Sequence, residues 1–211
     1  MCKPMNHFSS AAYWDLRYRR GGHSGAGSQG RLVHFKAGFI NAFMAANRVE
    51  EVINLGCGDG NLLSMLSVGA YTGVDVSPTV LAHMAQRFPG HRFLPFNSIA
   101  DAPPADLALS VDVIFHLIED DVFARYMDAL FTHARRFVLI YASNVDLVWP
   151  TPHVRHRRFS DHVARHCPGW HLAAHVPNRF AYDPARQAET SFADFFVYVR
   201  DGAVADIPEL F

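Results

Sequence analysis

Cysteine and lysine are scarce in this sequence. The three cysteines, Cys2, Cys57 and Cys167, are too few for a disulfide framework, and their spacing matches no zinc-binding pattern. Lys3 and Lys36 are the only lysines, but arginines bring the basic residues to 19, so positive charge is not lacking. These counts favour a protein whose core holds it together without covalent cross-links or a structural metal.

The chain also lacks an excess of charge of either sign and any long apolar run. Its 19 basic and 20 acidic residues leave a net charge of −1, whereas proteins that bind nucleic acids or anionic membranes carry a basic excess. No apolar run reaches the roughly 18 residues of a transmembrane helix, and the N-terminus does not read as a signal peptide. We therefore expect a cytoplasmic protein that binds neither nucleic acid nor membranes.

What the sequence does contain is a regular alternation of short apolar strands and amphipathic helices. Its 211 residues suit one domain, and half of them are hydrophobic. Predicted strands cover 50–55, 71–76, 92–96, 106–112, 137–141, 170–176 and 191–200, and predicted helices cover 31–47, 60–68, 77–88, 119–136 and 159–167. This order predicts an α/β fold with an open, mostly parallel sheet and helices on both faces.

The first thirty residues differ from the rest. Ser9 or Ser10 is placed to cap a short helix that carries Tyr13, Trp14 and Tyr18. Residues 21–30 are mostly glycine and serine, which predicts a mobile loop without regular structure. An aromatic helix followed by such a loop is typical of a lid that opens and closes, although the aromatic residues alone are more often a sign of ordinary packing. We divide the chain into a lid over 1–30 and a main domain over 31–211.

The sharpest local signal is a glycine-rich turn after the first strand. Gly56, Gly58 and Gly60 follow that strand, and Asp75 ends the next one, 19 residues after Gly56. In nucleotide-binding α/β folds an acid at about this distance accepts hydrogen bonds from ribose hydroxyls. The spacing fits neither G-x-G-x-x-G nor a P-loop, so a ligand with a ribose and no phosphate fits better. The alternatives are a simple tight turn and, for Asp75, a helix cap.

Four stretches resemble the motifs of class I S-adenosylmethionine-dependent methyltransferases. Residues 52–60 (VINLGCGDG) are similar to motif I, 71–78 (YTGVDVSP) to the second motif, 106–116 to the fourth-strand motif and 137–143 to the fifth strand. The resemblance covers about 48–145. It implies a single Rossmann-like domain whose seven-stranded sheet has an antiparallel last strand. It also implies methyl transfer from S-adenosylmethionine, with S-adenosylhomocysteine as product, to an oxygen or nitrogen of a small acceptor.

The resemblance assigns cofactor contacts residue by residue. It implies that the glycine turn underlies the methionine part, that an acid holds the ribose, that apolar side chains flank the adenine, and that a polar residue after the third strand meets the adenine amino group. A residue of the lid helix is expected to meet the cofactor carboxylate. The glycine turn is Gly56, Cys57, Gly58 and Gly60, and the acid is Asp75. The apolar side chains are Val76 and Val111, the polar residue is Asn97 or Ser98, and the lid residue is Arg17 or Tyr18.

The sequence departs from the family pattern at an acidic position. Asn54 stands where the family usually has an acid that helps to orient the cofactor's amino group, and Asn97 shows the same replacement. An amide still accepts a hydrogen bond but provides no charge pairing. We expect weaker cofactor binding, not its absence.

His116 is the leading candidate for catalysis, together with Asp112. Both lie at the end of the fourth strand, at the sheet edge where ligands bind in such folds, and histidine titrates near neutral pH. The alternative is that His116 only packs the start of the next helix. Some methyltransferases of this class bind a divalent metal here, but Phe115 replaces the second acid of their pattern. We therefore expect no metal, and acids at a helix start instead.

A basic segment over 153–158 follows the fifth strand. His153, Arg155 and His156 are its candidates for gripping a carboxylate, phosphate or sugar acid of an anionic acceptor, because arginine forks bind such oxygen pairs. The alternative is a solvated loop and helix face. The run is too short to indicate nucleic acid binding.

Other functions stay open at this stage. A methyltransferase acting on a protein or RNA end is one alternative, although no extra domain for such a target is evident. A subunit that binds the cofactor without activity is another, and Asn54 favours it. A dehydrogenase is disfavoured by the glycine spacing. The sequence predicts a monomer or a homodimer without choosing between them.

Overall fold

The computed structural model describes residues 8–209, so 1–7, with Cys2 and Lys3, and 210–211 lie outside the described part. The strands are β1 Glu51–Leu55, β2 Ala70–Asp75, β3 Arg92–Pro95, β4 Ala105–Val111, β5 Ala134–Ala142, β6 Trp170–Val176 and β7 Asp194–Arg200. The helices are α1 Ser10–Arg19, α2 Gly30–Ala46, α3 Pro78–Arg87, α4 Asp120–Thr132 and α5 Phe159–His166. No helix within 8–209 is long and apolar enough to cross a membrane.

All seven strands form one sheet in the order β3-β2-β1-β4-β5-β7-β6. Neighbouring strands from β3 to β5 run parallel, whereas β7 runs antiparallel to both β5 and β6. This confirms the predicted α/β fold and its antiparallel last strand. Since the chain leaves β1 toward β2 on one side and reaches β4 on the other, a crevice opens at the carboxyl ends of β1 and β4.

Helix α2 anchors its end of the core through aromatic residues spaced four apart. Phe35, Phe39 and Phe43 therefore lie on one face of the helix. The Phe39 ring centroid lies 4.4 Å from that of Phe195 in β7, and the Phe43 ring meets Phe137 in β5 edge to face at 5.3 Å. This packing fixes α2 over the β5–β7 part of the sheet.

Serine caps start helices α1 and α3. The Ser9 side chain accepts a hydrogen bond from the backbone N–H of Ala12 at the start of α1. Ser77 accepts one from Val80 at the start of α3, where Pro78 occupies the first helical position. Both helices begin where the sequence predicts.

Two predicted helices are wrong in extent. Within 60–68 the chain forms only a 3₁₀ turn at Leu63–Met65, because the Asn41 side chain of α2 binds the Met65 carbonyl and the Ser67 N–H in place of helical partners. Helix α4 ends at Thr132, not 136, because β5 already starts at Ala134.

The early start of β5 follows from backbone pairing with β4, since the Ala105 N–H donates to the His133 carbonyl at 2.9 Å. Arg135 adds exposed ion pairs with the carboxylates of Glu51 and Asp106 at the beginnings of β1 and β4. Strand β7 differs in the other direction, because it starts at Asp194, three residues after the predicted start.

Replacing Phe39 with alanine tests the packing of α2. The side chain is fully buried, so Phe39→Ala should lower the free energy of unfolding by about 3–5 kcal/mol, measured by urea denaturation. Val148→Ala is the control, because Val148 is 94% exposed and its loss should change stability by less than about 0.5 kcal/mol. Equal unfolding midpoints for the two variants would contradict this account of the core.

Candidate functional site

The crevice at the carboxyl ends of β1, β2 and β4 is a covered cleft that encloses about 1190 Å³ of empty space, including its mouth. Helix α1 and the loop 21–29 contribute to its walls. The sequence-predicted residues that line it are Tyr18, Gly56, Cys57, Gly58, Asp75, Val76, Val111, Asp112 and His116. The topology thus brings together most of the predicted site.

The glycine turn that follows β1 is closed by backbone hydrogen bonds. The N–H groups of Gly56 and Cys57 both donate to the Val74 carbonyl, at 2.7 and 3.0 Å. Gly56 and Gly58 have φ of +78° and +59°, the left-handed region that side chains rarely adopt. A Cβ at Gly56 would lie 2.4 Å from a methyl carbon of Val113. Only glycine lets the chain turn here against the end of β4.

Asp75 ends β2 with both carboxylate oxygens engaged and still facing the cleft. Its Oδ2 accepts from the Gly58 N–H and its Oδ1 from the Ser77 N–H, each at 3.0 Å. Burial raises the pKa of this carboxyl, and hydrogen bonds from backbone N–H groups partly offset that rise. Each oxygen can accept a further hydrogen bond, so Asp75 serves the local turn and remains able to bind hydroxyls.

Asn54, the residue at the family's acidic position, lines the cleft with an unpartnered oxygen. The side chain is 2% exposed, and its Nδ2 donates to the Tyr71 hydroxyl at 3.0 Å. Its Oδ1 is buried and has no hydrogen-bond partner. The tyrosine therefore fixes the amide so that an acceptor oxygen is left for a ligand.

Helix α1 lines the cleft and is attached through carboxylates at its first residue and at its middle. Ser10 donates its backbone N–H and its hydroxyl to Glu119, at 2.9 and 2.5 Å. Asp15 accepts from the hydroxyls of Ser77 and Thr79, at 2.7 and 2.9 Å. The Ser77 hydroxyl is the main reason why the pKa of Asp15 lies below its usual range. The helix is thus bonded to the starts of α3 and α4.

The loop after α1 is bonded to the glycine turn and is not free of structure. The Ser24 N–H donates to the Asp59 carboxylate at 2.8 Å, and the Asp59 N–H donates to the Ser24 hydroxyl at 3.0 Å. The Tyr18 hydroxyl lies 2.9 Å from the same serine oxygen. A 3₁₀ turn at Ala26–Ser28 also corrects the expectation of a loop without regular structure.

A buried ion pair between Lys36 and Asp112 lies in the cleft, and sequence reasoning missed the lysine. Lys36 is 2% exposed, and its ammonium donates to the Asp112 carboxylate and, at 2.7 Å, to the Gly27 carbonyl. It also lies 5.2 Å from the centre of the Tyr141 ring. The available signal was a lysine within the apolar run of a helix, in a chain with almost no lysine.

His116 lies in the cleft wall with a fixed tautomer. Its Nδ1 is 2.8 Å from the His153 carbonyl oxygen, which can only accept, so Nδ1 carries the proton and Nε2 is the free acceptor. Burial lowers the pKa of His116 to about 4, and the His153 carbonyl only partly opposes this. The Trp14 ring of α1 meets His116 edge to face at 4.8 Å. The imidazole is therefore neutral at pH 7.

The basic segment binds the chain itself and does not line the cleft. Arg155 and Arg157 both pair with Asp120, at 3.1 and 2.5 Å, and both donate to the Ile118 carbonyl. His156 is 4% exposed, with its Nδ1 2.6 Å from the Ser143 hydroxyl. Together with the His153 carbonyl on His116, these contacts hold the segment against the start of α4.

Four other predicted cofactor residues lie outside the cleft lining. Gly60 has φ +79° and packs on α3, where a Cβ would lie 2.5 Å from the Met84 sulfur. Arg17 donates to the His23 carbonyl at 2.6 Å. Asn97 and Ser98 follow Phe96, and that apolar neighbour lines the cleft instead. Within 8–209 no three His, Cys, Asp or Glu residues are placed to hold a metal.

Gly58→Ala should loosen the loop 21–29. The added Cβ would lie 2.5 Å from the Ser24 hydroxyl, so the Ser24–Asp59 bonds would break. The left-handed backbone at this position would add about 1–2 kcal/mol of strain. Faster amide hydrogen exchange over 21–29 is the expected result. Gly90→Ala is the matched control, since no atom lies within 4 Å of its added Cβ. Unchanged exchange in the Gly58 variant would contradict the contact.

The low pKa of His116 predicts a pH dependence of stability. In the unfolded chain His116 binds a proton below about pH 6.5, whereas in the folded protein it does so only below about pH 4. Its contribution to the free energy of unfolding is therefore complete above pH 6.5 and is lost as the pH falls from 6.5 to 4. His116→Gln should reduce the loss of unfolding free energy between pH 7.5 and pH 5, measured with urea. Identical losses in the variant and the parent would show that His116 is not buried in its neutral form.

Known proteins resemble this chain only over a short stretch of sequence, but over most of its structure. No protein-family model matches the chain. Over 72 residues it is 42% identical to trans-aconitate 2-methyltransferase of Klebsiella pneumoniae (strain 342), a match that covers 32% of this chain and spans only 27% of the length of that protein.

Similar solved structures extend over most of the chain. Magnesium protoporphyrin IX methyltransferase of Synechocystis PCC 6803, with bound S-adenosylhomocysteine, has a TM-score of 0.64 at 16% identity over 90% of this chain and 98% of that one. An amino pentose methyltransferase of Micromonospora echinaspora, with bound S-adenosylmethionine, has a TM-score of 0.61 at 14% identity over 94% and 100%. The chain therefore has the seven-stranded α/β fold of the S-adenosylmethionine-dependent methyltransferases.

Proposed function

We propose that this protein binds S-adenosylmethionine and transfers its methyl group to an oxygen or nitrogen of a small-molecule acceptor. The observation that carries the proposal is the joining, in one covered cleft, of a left-handed glycine turn and a buried acid at the end of β2. The glycines leave room for close approach of a ligand, and Asp75 keeps acceptor capacity for ribose hydroxyls. The bound cofactor would supply an electrophilic methyl group on a sulfonium.

The residues of the cleft fit such a cofactor. Gly56 and Gly58 would lie under its methionine part, and Asp75 would bind the ribose. Apolar side chains for the adenine are available in Val76 and Phe96, which both line the cleft. The unpartnered Asn54 Oδ1 would accept a hydrogen bond from a donor group of the cofactor. This neutral contact would replace the charged one that the family's usual acid makes.

His116 and Trp14 would shape the reaction side of the cleft. The free Nε2 of His116 is an acceptor that can orient a hydrogen-bond donor of the acceptor molecule. A histidine with a pKa of about 4 is a weak base, so we assign His116 the role of orienting the acceptor molecule and not that of removing its proton. Trp14 covers it and would help to exclude water. Catalysis then depends mainly on holding the two reactants in line.

We also propose that residues 8–29 act as the lid of this site. They are attached by hydrogen bonds to Glu119, to Ser77 and to Asp59 and by the contact of Trp14 with His116, and non-covalent contacts of this kind can break and reform. A cleft covered in this way suits a small acceptor better than a protein or RNA end. The names of the matched proteins support the same class, since trans-aconitate, magnesium protoporphyrin IX and an amino pentose are all small molecules.

An anionic acceptor gripped by the basic segment receives no support from the contacts of that segment. Arg155 and Arg157 are already paired with Asp120, and His156 is buried beside Ser143. Action in the cytoplasm, and a monomeric or homodimeric state, stay predictions from the sequence.

Cofactor binding can be tested without knowing the acceptor. Titration calorimetry with S-adenosylhomocysteine should show saturable binding, and Asp75→Asn should weaken it at least about tenfold through loss of charged hydrogen bonds to the ribose. Asp106→Asn is the matched control: Asp106 also accepts two backbone N–H bonds in this sheet, but at the opposite edge, where β4 begins. Absence of binding by the parent protein would remove the proposed function.

A further inference from the structure

The ionisable groups that line the cleft are mostly acidic. Its walls contain four carboxylates and one ammonium, with His116 neutral between them. These residues are Asp59, Asp75, Asp112, Glu119 and Lys36. A partly enclosed cleft with an excess of negative charge attracts cations and repels anions.

The one ammonium is already occupied by the chain. Lys36 donates to Gly27 and to Asp112 and lies over the Tyr141 ring, with almost no exposure. A buried pair of this kind is costly to assemble, which argues for a role beyond stability. Its geometric effect is clear: it holds one oxygen of Asp112 at the end of β4.

The other oxygen of Asp112 is available. Within the described residues no hydrogen bond reaches Asp112 Oδ1, and the side chain is 21% exposed and lines the cleft. The unpartnered Oδ1 of Asn54, on the neighbouring strand β1, is a second acceptor without a donor in the same cleft. The cleft is therefore complementary to a ligand that has hydrogen-bond donors and a positive charge.

We propose that the methyl acceptor is a small amine whose nitrogen binds the free oxygen of Asp112, with Lys36 as the residue that positions this carboxylate. The inference rests on the proposed function and narrows its acceptor from any oxygen or nitrogen to an amine nitrogen. Asp112 attracts the ammonium form on entry and orients the N–H groups of the free amine at the reacting end of the cleft.

The chemistry balances without a further reactant. The ammonium form first releases a proton to solvent. The amine lone pair then forms a bond to the methyl carbon, the carbon–sulfur bond breaks, and its electrons neutralise the sulfonium to a thioether. The product is a methylated ammonium ion, which Asp112 pairs until it leaves.

Hydroxyl and carboxylate acceptors fit less well. A hydroxyl needs a base of suitable strength in the site, and His116, with its pKa of about 4, is weak. A carboxylate would meet four like charges with no free cation among the residues that line the cleft.

The test follows the labelled methyl group without naming the acceptor beforehand. The full chain is incubated with methyl-labelled S-adenosylmethionine and a small-molecule extract of the cells that produce it. Label should appear in products that bind a cation exchanger and survive mild base, as N-methyl groups do. Label released as methanol by mild base would mark a carboxylate ester, and label in neutral base-stable products would mark an ether. Either result would overturn the amine inference.

Variants connect the product to the ion pair. Asp112→Asn should lower formation of the cationic product at least about tenfold while S-adenosylhomocysteine still binds. Lys36→Met should act in the same direction, and Lys36→Arg, which keeps the charge, should recover part of the rate. Asp106→Asn should behave as the parent. Undiminished product from Asp112→Asn, or equal rates for the two Lys36 variants, would count against these roles.

Binding of S-adenosylhomocysteine distinguishes a failure of the proposed function from a failure of the amine inference. No binding to the parent protein defeats the proposed function and with it the inference. Binding without any transfer of label also defeats both, in favour of a subunit that only holds the cofactor. Binding with transfer to a carboxylate or hydroxyl leaves the proposed function intact and defeats the amine inference alone.

Discussion

The arrangement of this molecule depends on a steric constraint at the end of β1. The chain must turn there through left-handed backbone at Gly56 and Gly58, with Val113 on one side and Ser24 on the other. No side chain fits in either place. Because the turn stays thin, the end of β4 and the N-terminal loop can both approach it, and the space that remains between them is the cleft.

Much of the fold was predictable because each local signal agreed with the next. Apolar runs, serine caps at Ser9 and Ser77 and the proline at 78 are read over a few residues, and all are where the structure needs them. The errors arose where distant groups decide the conformation. The Asn41 side chain replaces helical bonds near Met65, and the Ala105 N–H of β4 binds the His133 carbonyl just before β5.

The site divides in the same way. Gly56, Gly58 and Asp75 come from a contiguous motif, and the topology brings them together as the motif implies. The pair between Lys36 and Asp112 joins residues 76 positions apart, so the apolar run around Lys36 could mark the lysine but not its partner. The basic segment shows the opposite case. Its charges in the sequence suggest a binding site for an acceptor, but in the structure its arginines pair with Asp120 and nearby carbonyls.

The attachment of α1 has a thermodynamic consequence. Ser10 and Asp15 supply its polar bonds to Glu119, Ser77 and Thr79. Its aromatic side chains are partly buried as well, since Trp14 meets His116 edge to face at 4.8 Å and Tyr18 packs against the core. Detaching the helix would expose this apolar surface, and exposed apolar surface is the main source of heat-capacity change in proteins. Opening of the cleft should therefore have a positive heat-capacity change, so its van't Hoff plot should be curved over the temperatures at which the core is folded.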